Sequence, residues 1–285
     1  MNQQARWGAF LGLTLVLAVG ACDSGEPAAK ASVCPIPTSP PAGAAAPAGQ
    51  APGGGGVEVV DHGFTQLFNE KTGGLSTGAS VSLGALLRNT SGQVAYRTQV
   101  TLRIKDAAGR DAAHPWSVRN LILEIPVIHP GEQVAVGDRA GVRDDIDQFH
   151  AYDKVTKFDV ELGSATWMPA ESAAMFPSIT TTFRSLEQKN SVSTVRYTAA
   201  TTACRATVFR GMAAVFLNKS GHVTGGLLGT QPELEQCGTT GHEGSFSDIV
   251  PAPEGIDEGK TVVSEYCDVA RPEGGVYRPS GAPFN

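Results

Sequence analysis

Between Val57 and Pro169 the chain is written in short runs of alternating apolar and polar residues, rich in β-branched types and broken by Gly, Asn, Asp or Pro every eight to twelve residues. A period of two sends apolar side chains to one face of an extended strand and polar ones to the other, and breaks at this spacing leave no room for long helices. The clearest runs are Ser80 to Leu87, Tyr96 to Ile104 and Lys157 to Leu162. In the second of them Val100, Leu102 and Ile104 share one face while Arg97, Gln99, Thr101 and Arg103 share the other, as in a half-buried antiparallel strand. Many such strands with frequent turns predict an all-β sandwich fold. Only Arg143 to Tyr152 carries a weak helical pattern.

The breaks have their own chemistry. Asn89-Thr90-Ser91-Gly92 separates two apolar runs and Asp106-Ala107-Ala108-Gly109 closes the next, with Asn or Asp opening the turn and Gly expected to supply a positive φ. Leu86-Leu87-Arg88-Asn89-Thr90-Ser91-Gly92-Gln93-Val94 is echoed 129 residues later by Val215-Phe216-Leu217-Asn218-Lys219-Ser220-Gly221-His222-Val223. Matching flanks at a domain-sized offset predict two copies of one sandwich in tandem, over 57–175 and 178–270.

The stretch from Ser82 to Val136 resembles the FxLYD-type immunoglobulin-like domain of bacterial surface lipoproteins. The resemblance is carried by an apolar strand, Arg88-Asn89-Thr90-Ser91-Gly92, a long strand ending in Lys105-Asp106-Ala107-Ala108-Gly109, and Ile128-His129-Pro130-Gly131-Glu132. It implies an immunoglobulin-like sandwich and no particular chemistry. In the second copy Pro253-Glu254-Gly255-Ile256-Asp257 replaces the Pro-Gly-Glu element, and the loop around Cys237 has no counterpart.

At the N-terminus one charged residue, Arg6, precedes an uncharged run from Trp7 to Ala21 that is apolar but for Thr14. That run is shorter than the roughly 20 residues a bilayer span needs and has the length of a secretory leader core. It ends Leu17-Ala18-Val19-Gly20-Ala21-Cys22, which resembles the lipobox of bacterial lipoproteins. The resemblance implies removal of residues 1–21 and diacylation of Cys22. The chain would then sit on the extracytoplasmic face of a cell membrane, with the bilayer as its partner through that cysteine. Residues 22–56 shift to Ala, Pro and Gly, including Gly53-Gly54-Gly55-Gly56, and predict a disordered tether; 271–285 predict a flexible tail.

Cys34, Cys204, Cys237 and Cys267 remain, an even number that in an exported chain favours disulfides. Four cysteines allow three pairings; at least one bridge is expected in the second half, with Cys34 stapled to it or free.

Chemistry is sparse in the sequence. The formal charge is −6, and loss of Arg6 with the leader takes it to −7. The 22 Lys and Arg form no basic patch, which argues against a nucleic-acid partner. Ser-x-x-Lys, His-Glu-x-x-His, Walker and Cys-x-x-Cys motifs are absent, and Lys71-Thr72-Gly73 reads as a turn. His62, His114, His129, His150, His222 and His242 are dispersed as in surface loops; His222 with His242 beside Cys237 is the best metal-binding combination. Asp144, Asp145 and Asp147 lack calcium-loop spacing, and the glycosylation-like Asn89 and Asn218 read as turn residues. The expectation is a non-enzymatic binding or scaffold lipoprotein without cofactor, its partner a surface protein or the cell wall. The rivals are an extracytoplasmic metal carrier or sensor and a cell-wall hydrolase with an unrecognised site.

Overall fold

Alternating side chains favour extended backbone, and strands dominate in a computed structural model of the chain, which describes residues 34–39, 42–67, 80–118, 121–143, 155–189, 192–229, 236–248 and 252–270. The first half supplies β1 (Ala44–Pro47), β2 (Val57–Leu67), β3 (Ser80–Asn89), β4 (Val94–Lys105), β5 (Ile122–Ile128), β6 (Gln133–Gly141), β7 (Lys157–Leu162) and β8 (Ser164–Met168). After a 3-10 turn, Ala170–Met175, the second half supplies β9 (Ile179–Lys189), β10 (Val192–Thr201), β11 (Thr207–Leu217), β12 (Val223–Gly229), β13 (Gln236–Cys237), β14 (His242–Asp248) and β15 (Val262–Asp268).

These strands form four antiparallel sheets. Sheet I runs β1-β8-β4-β5 with β7 also on β4; sheet II runs β2-β3-β6. Sheet III runs β12-β11-β13 with β15 also on β11, and sheet IV runs β14-β10-β9. The all-β sandwich expectation holds, and the three runs singled out in the sequence are β3, β4 and β7. On β4, Val100, Leu102 and Ile104 are buried while Arg103 is exposed. The alternation changes phase at Arg97, whose φ is +51°, so that odd-numbered Ala95 lies in the same core as the even-numbered residues beyond it.

The two halves share an order of pairing. A hairpin (β2–β3, β9–β10) is followed by a second pair in the other sheet (β4–β5, β11–β12). The chain then returns to the hairpin (β6 on β3, β14 on β10) and crosses again (β7 and β8 on β4, β15 on β11). The sequence echo does not align equivalent parts of that order. Its first copy bridges β3 to β4, from sheet II to sheet I, whereas its second is the β11–β12 hairpin within sheet III. The match is local turn chemistry: Asn89 Oδ1 accepts from the amide and hydroxyl of Ser91, and Asn218 Oδ1 accepts from the His222 amide. Gly109 and Gly221 adopt the expected positive φ; Gly92 does not, and the side chains of Asn89 and Ser91 close that turn on Gln93.

The halves stack as one body. Leu83 and Leu87 of β3 meet Leu102 of β4 and Leu123 and Ile125 of β5 between sheets I and II. Met212, Ala214 and Phe216 of β11 meet Val195, Tyr197 and Phe246 between sheets III and IV. Sheets II and III meet in turn through Leu86, Ala135, Val215, Leu217 and Val223. Strands β3 and β11 are therefore buried on both faces, which removes the clean alternation from Leu83–Leu87 and Met212–Leu217. The II–III contact is made by backbone as much as side chain. A methyl added to Gly226 would lie 2.6 Å from the Leu83 carbonyl oxygen and 2.9 Å from the Gly137 Cα. Ser82 Oγ donates to the Gly226 carbonyl at 2.8 Å and accepts from its amide at 2.9 Å.

The tether expected over 22–56 requires correction from residue 34 onward. β1 pairs with β8 from Ala44↔Trp167 to Pro47↔Ser164, Ala48 and Ala51 are buried, and the Ala48 amide donates to the Gly163 carbonyl. Gly54 and Gly55, both at positive φ, turn the chain back so that the Val57 amide reaches the Ala48 carbonyl. Small residues fit an edge strand whose stability comes from backbone pairing, with Pro47 at its end where a missing donor is tolerated. Residues 1–33, including the leader and Cys22, the weak helix, Asp144, Asp145, Asp147, Lys71-Thr72-Gly73, His150 and the tail all lie outside the described residues.

Candidate functional site at the junction of the halves

Strand β15 organises the junction because period-two alternation sends its side chains to two different sheets. Its even-numbered residues turn to the first half: Ser264 Oγ accepts from the Ala135 amide at 2.9 Å, and the Tyr266 hydroxyl donates to the Ala135 carbonyl. Its odd-numbered residues turn to sheet IV, where Val263 joins the apolar core and Glu265 meets Tyr197 and His242. The Val263 carbonyl accepts from Thr181 Oγ1 of β9. Backbone groups of β6 and β15 are thus capped by neighbouring side chains.

Above β15 opens a recess of about 530 Å³, walled by the β5–β6 turn and the start of β9, with His129, Glu132, Pro177, Thr181, Ser264 and Glu265 among its lining. That volume is in the range of small-ligand sites. The turn is the Pro-Gly-Glu element. Gly131 has φ +76°, and Glu132 Oε2 accepts from the His129 amide at 2.6 Å. The His129 ring holds the Pro177 carbonyl at 3.2 Å, tying the first half to the second. Burial raises the Glu132 carboxyl above its ordinary range, against the opposing pull of the His129 amide bond.

Two buried polar clusters flank the strand. In the first, Arg210 Nη1 lies 3.2 Å from Asp268 Oδ2 and Arg210 Nη2 lies 3.5 Å from Glu124 Oε1, while Arg97 Nη2 lies 3.3 Å from Asp268 Oδ2. The Tyr96 hydroxyl donates to Asp268 Oδ1 at 2.8 Å. Two cations and two anions from β4, β5, β11 and β15 balance in a nearly dry site, with the Arg210 side chain 4% exposed and that of Asp268 0%. Burial pushes the Arg210 guanidinium down, and Glu124 and Asp268 pull it back. Both arginines come from irregular backbone: Arg97 has positive φ, and Arg210 is the extra residue where the β11–β15 register shifts. A bulge re-aims its side chain, and sites that retain such backbone are held by what surrounds them.

In the second cluster, Glu265 Oε2 accepts from the Tyr197 hydroxyl and lies against His242 Nε2, each at 3.1 Å. Burial raises the Glu265 carboxyl and the Tyr197 phenol. Two disulfides, Cys34–Cys204 and Cys237–Cys267, complete the region. Cys34 is thus stapled to the second half, one of the alternatives open in the sequence.

Sequence reading foresaw the bridging cysteines and missed both clusters, because Arg97, Glu124, Arg210, Glu265 and Asp268 carry no motif and their β-strands are far apart in the chain. His222 and His242 are not brought together. His222 pairs with Asp61 in the exposed turn after Leu217, whereas His242 meets Glu265 opposite Met212 at the far part of β11. His62 and His242 lie on strands rather than in loops, the His62 ring bonded to the Phe158 carbonyl. Asn89 is fully buried and bonded to the Gln93 and Ile128 carbonyls, which makes it a turn residue and closes it to modification. Glu132 and Glu265 both line the recess, each already engaged as described. Among the described residues no helix is long and apolar enough to cross a membrane. No family model matches the chain, and no curated protein is detectably similar to it.

Proposed function

We propose that this chain is a bacterial lipoprotein, diacylated at Cys22 and held at the extracytoplasmic face of a membrane. Its body is a non-enzymatic binding or scaffold module of the FxLYD-like immunoglobulin type. The observation that carries the reading is Leu17-Ala18-Val19-Gly20-Ala21-Cys22 directly after an uncharged, mainly apolar run. Each acyl methylene buried in lipid contributes about 0.8 kcal/mol, so two chains on one cysteine anchor stably where one would not. Two disulfides also fit an oxidising compartment.

The length of chain between lipid and fold then sets where the body sits. Eleven residues, Asp23 to Val33, separate Cys22 from Cys34. Fully extended at about 3.3–3.6 Å each, they reach no more than about 40 Å. Tension from the anchor enters at Cys34 and passes through its bridge to Cys204 directly into the second half. The recess over β15 is the place for a surface or cell-wall partner, since it is concave and rimmed by polar backbone and side chains.

Intact mass and membrane fractionation of the native chain and of Cys22→Ala, expressed in a bacterial host, test the anchor. The expected result is a diacylglycerol adduct and membrane pelleting for the native chain, both lost in the variant. Soluble, unmodified protein in both cases overturns it.

A further inference from the structure

We propose that Cys237, Cys267 and Glu265, joined by His242, form a thiolate zinc site when the Cys237–Cys267 disulfide is reduced. The donor atoms of the two cysteines and Glu265 all lie within 4.8 Å of one another. Two thiolates, one carboxylate and one imidazole make up the mixture of sulfur, oxygen and nitrogen donors that zinc takes in tetrahedral sites.

The placement follows from the strands. Glu265 and Cys267 are two residues apart on β15 and so share its face toward sheet IV, while β13 and β15 both pair with β11 and bring Cys237 to Cys267. Glu265 Oε1 lies 3.7 Å from Cys267 Sγ. A disulfide sulfur has no proton to donate, so in the oxidised protein this buried oxygen gains no hydrogen bond from the sulfur it faces. A cation between them would use it. The other oxygen, Oε2, meets the Tyr197 hydroxyl and His242 Nε2, so the imidazole reaches the site through Glu265 as the fourth donor and Tyr197 fixes the carboxylate.

The chemistry balances with a dithiol as reductant. Two electrons and two protons pass from the dithiol to the disulfide, giving two thiols and an oxidised, cyclic reductant. Zinc(II) then displaces both thiol protons and is held by the two thiolates. The site does not depend on lipid anchoring and exists in the chain with or without Cys22.

The test uses the full mature chain, reduced with dithiothreitol under anaerobic conditions, freed of reductant and titrated with cobalt(II) as the spectroscopic substitute for zinc. A thiolate-to-cobalt charge-transfer band should saturate at one equivalent, collapse on adding zinc and be absent before reduction. Cys34→Ser with Cys204→Ser should retain the band, Cys237→Ser with Cys267→Ser should abolish it, and Glu265→Gln should weaken binding at least about tenfold. Far-ultraviolet circular dichroism of each form follows the fold. The proposal is overturned if Cys34, Cys204, Cys237 and Cys267 are all reduced and no band appears, or by a band that survives loss of Cys237 and Cys267. It is equally overturned if Glu265→Gln binds as tightly as the native chain, or if β structure is lost on reduction and zinc does not restore it.

Discussion

Sheets meet in two different ways in this molecule. Sheets I and II are held apart by branched side chains such as Leu83, Leu102 and Ile125, so their contact is a matter of volume. Across the halves, sheets II and III approach at Gly84, Gly137, Gly225 and Gly226 until backbone lies against backbone, charges of sheet I (Arg97, Glu124) pair with those of sheet III (Arg210, Asp268), and Cys34 is bridged to Cys204. The first kind of contact tolerates exchange of one aliphatic group for another. The second is specified by missing side chains and by charges that must be paired, so it should be far less forgiving, and it is what joins the four sheets into one body.

The largest effect should come from the staple across the junction. Cys34–Cys204 closes a separation of 170 residues and Cys237–Cys267 one of 30. On chain entropy alone, removal should cost roughly 5 and roughly 3.5 kcal/mol respectively, measured by chemical denaturation of the paired Cys→Ala variants. Equal losses would contradict the ordering by loop length, and no loss for Cys34–Cys204 would show that the N-terminal segment contributes nothing to the junction.

Next, Gly226→Ala should cost about 4 kcal/mol, because its methyl meets only backbone, while Ile125→Val in the aliphatic contact should cost about 1 kcal/mol. Comparable values would erase the distinction between the two contacts. Arg210→Met should lose about 3 kcal/mol by leaving the two buried carboxylates of Glu124 and Asp268 to Arg97, and the same denaturation experiment measures it.

A pH series sharpens the picture where Asp138 of the first half faces Asp248 of the second. Asp138 is buried, its Oδ2 has no hydrogen-bond partner among the described residues, and burial, followed by repulsion from Asp248, holds its carboxyl well above its ordinary value of 3.8. The Arg139 amide and guanidinium only partly offset this. A raised folded value means that the fold prefers the protonated acid. Its contribution is complete below pH 3.8 and is lost as pH rises through the folded value. Asp138→Asn should therefore flatten that decline and exceed the native chain in stability at neutral pH, as read from thermal midpoints across pH. The smallest effect belongs to the half-exposed pair Arg103–Glu161, where Glu161→Ala should change stability by less than about 1 kcal/mol.

The sequence made the strands legible wherever one face met solvent, as on β4, and the turns wherever a side chain closed them, as at Asp106, whose Oδ1 accepts from the amides of Ala108 and Arg110. It was misleading where burial was two-sided or carried by backbone. Ala44–Pro47 looked like tether because composition counts large side chains, whereas an edge strand needs only its amides and carbonyls. The echo of Asn89 and Asn218 suggested tandem copies, yet it pairs a crossover with a hairpin; the shared order of pairing emerges only from topology. The junction clusters were invisible because Arg97 and Arg210 owe their direction to backbone irregularities that no residue type announces.

The most direct test is differential scanning calorimetry of the oxidised chain. If backbone contact and buried charge join the halves, a single transition is predicted whose calorimetric and van't Hoff enthalpies agree, splitting or broadening in Gly226→Ala. Two resolved transitions in the native chain, each insensitive to substitutions in the other half, would contradict the account and return the molecule to two independent sandwiches on a string.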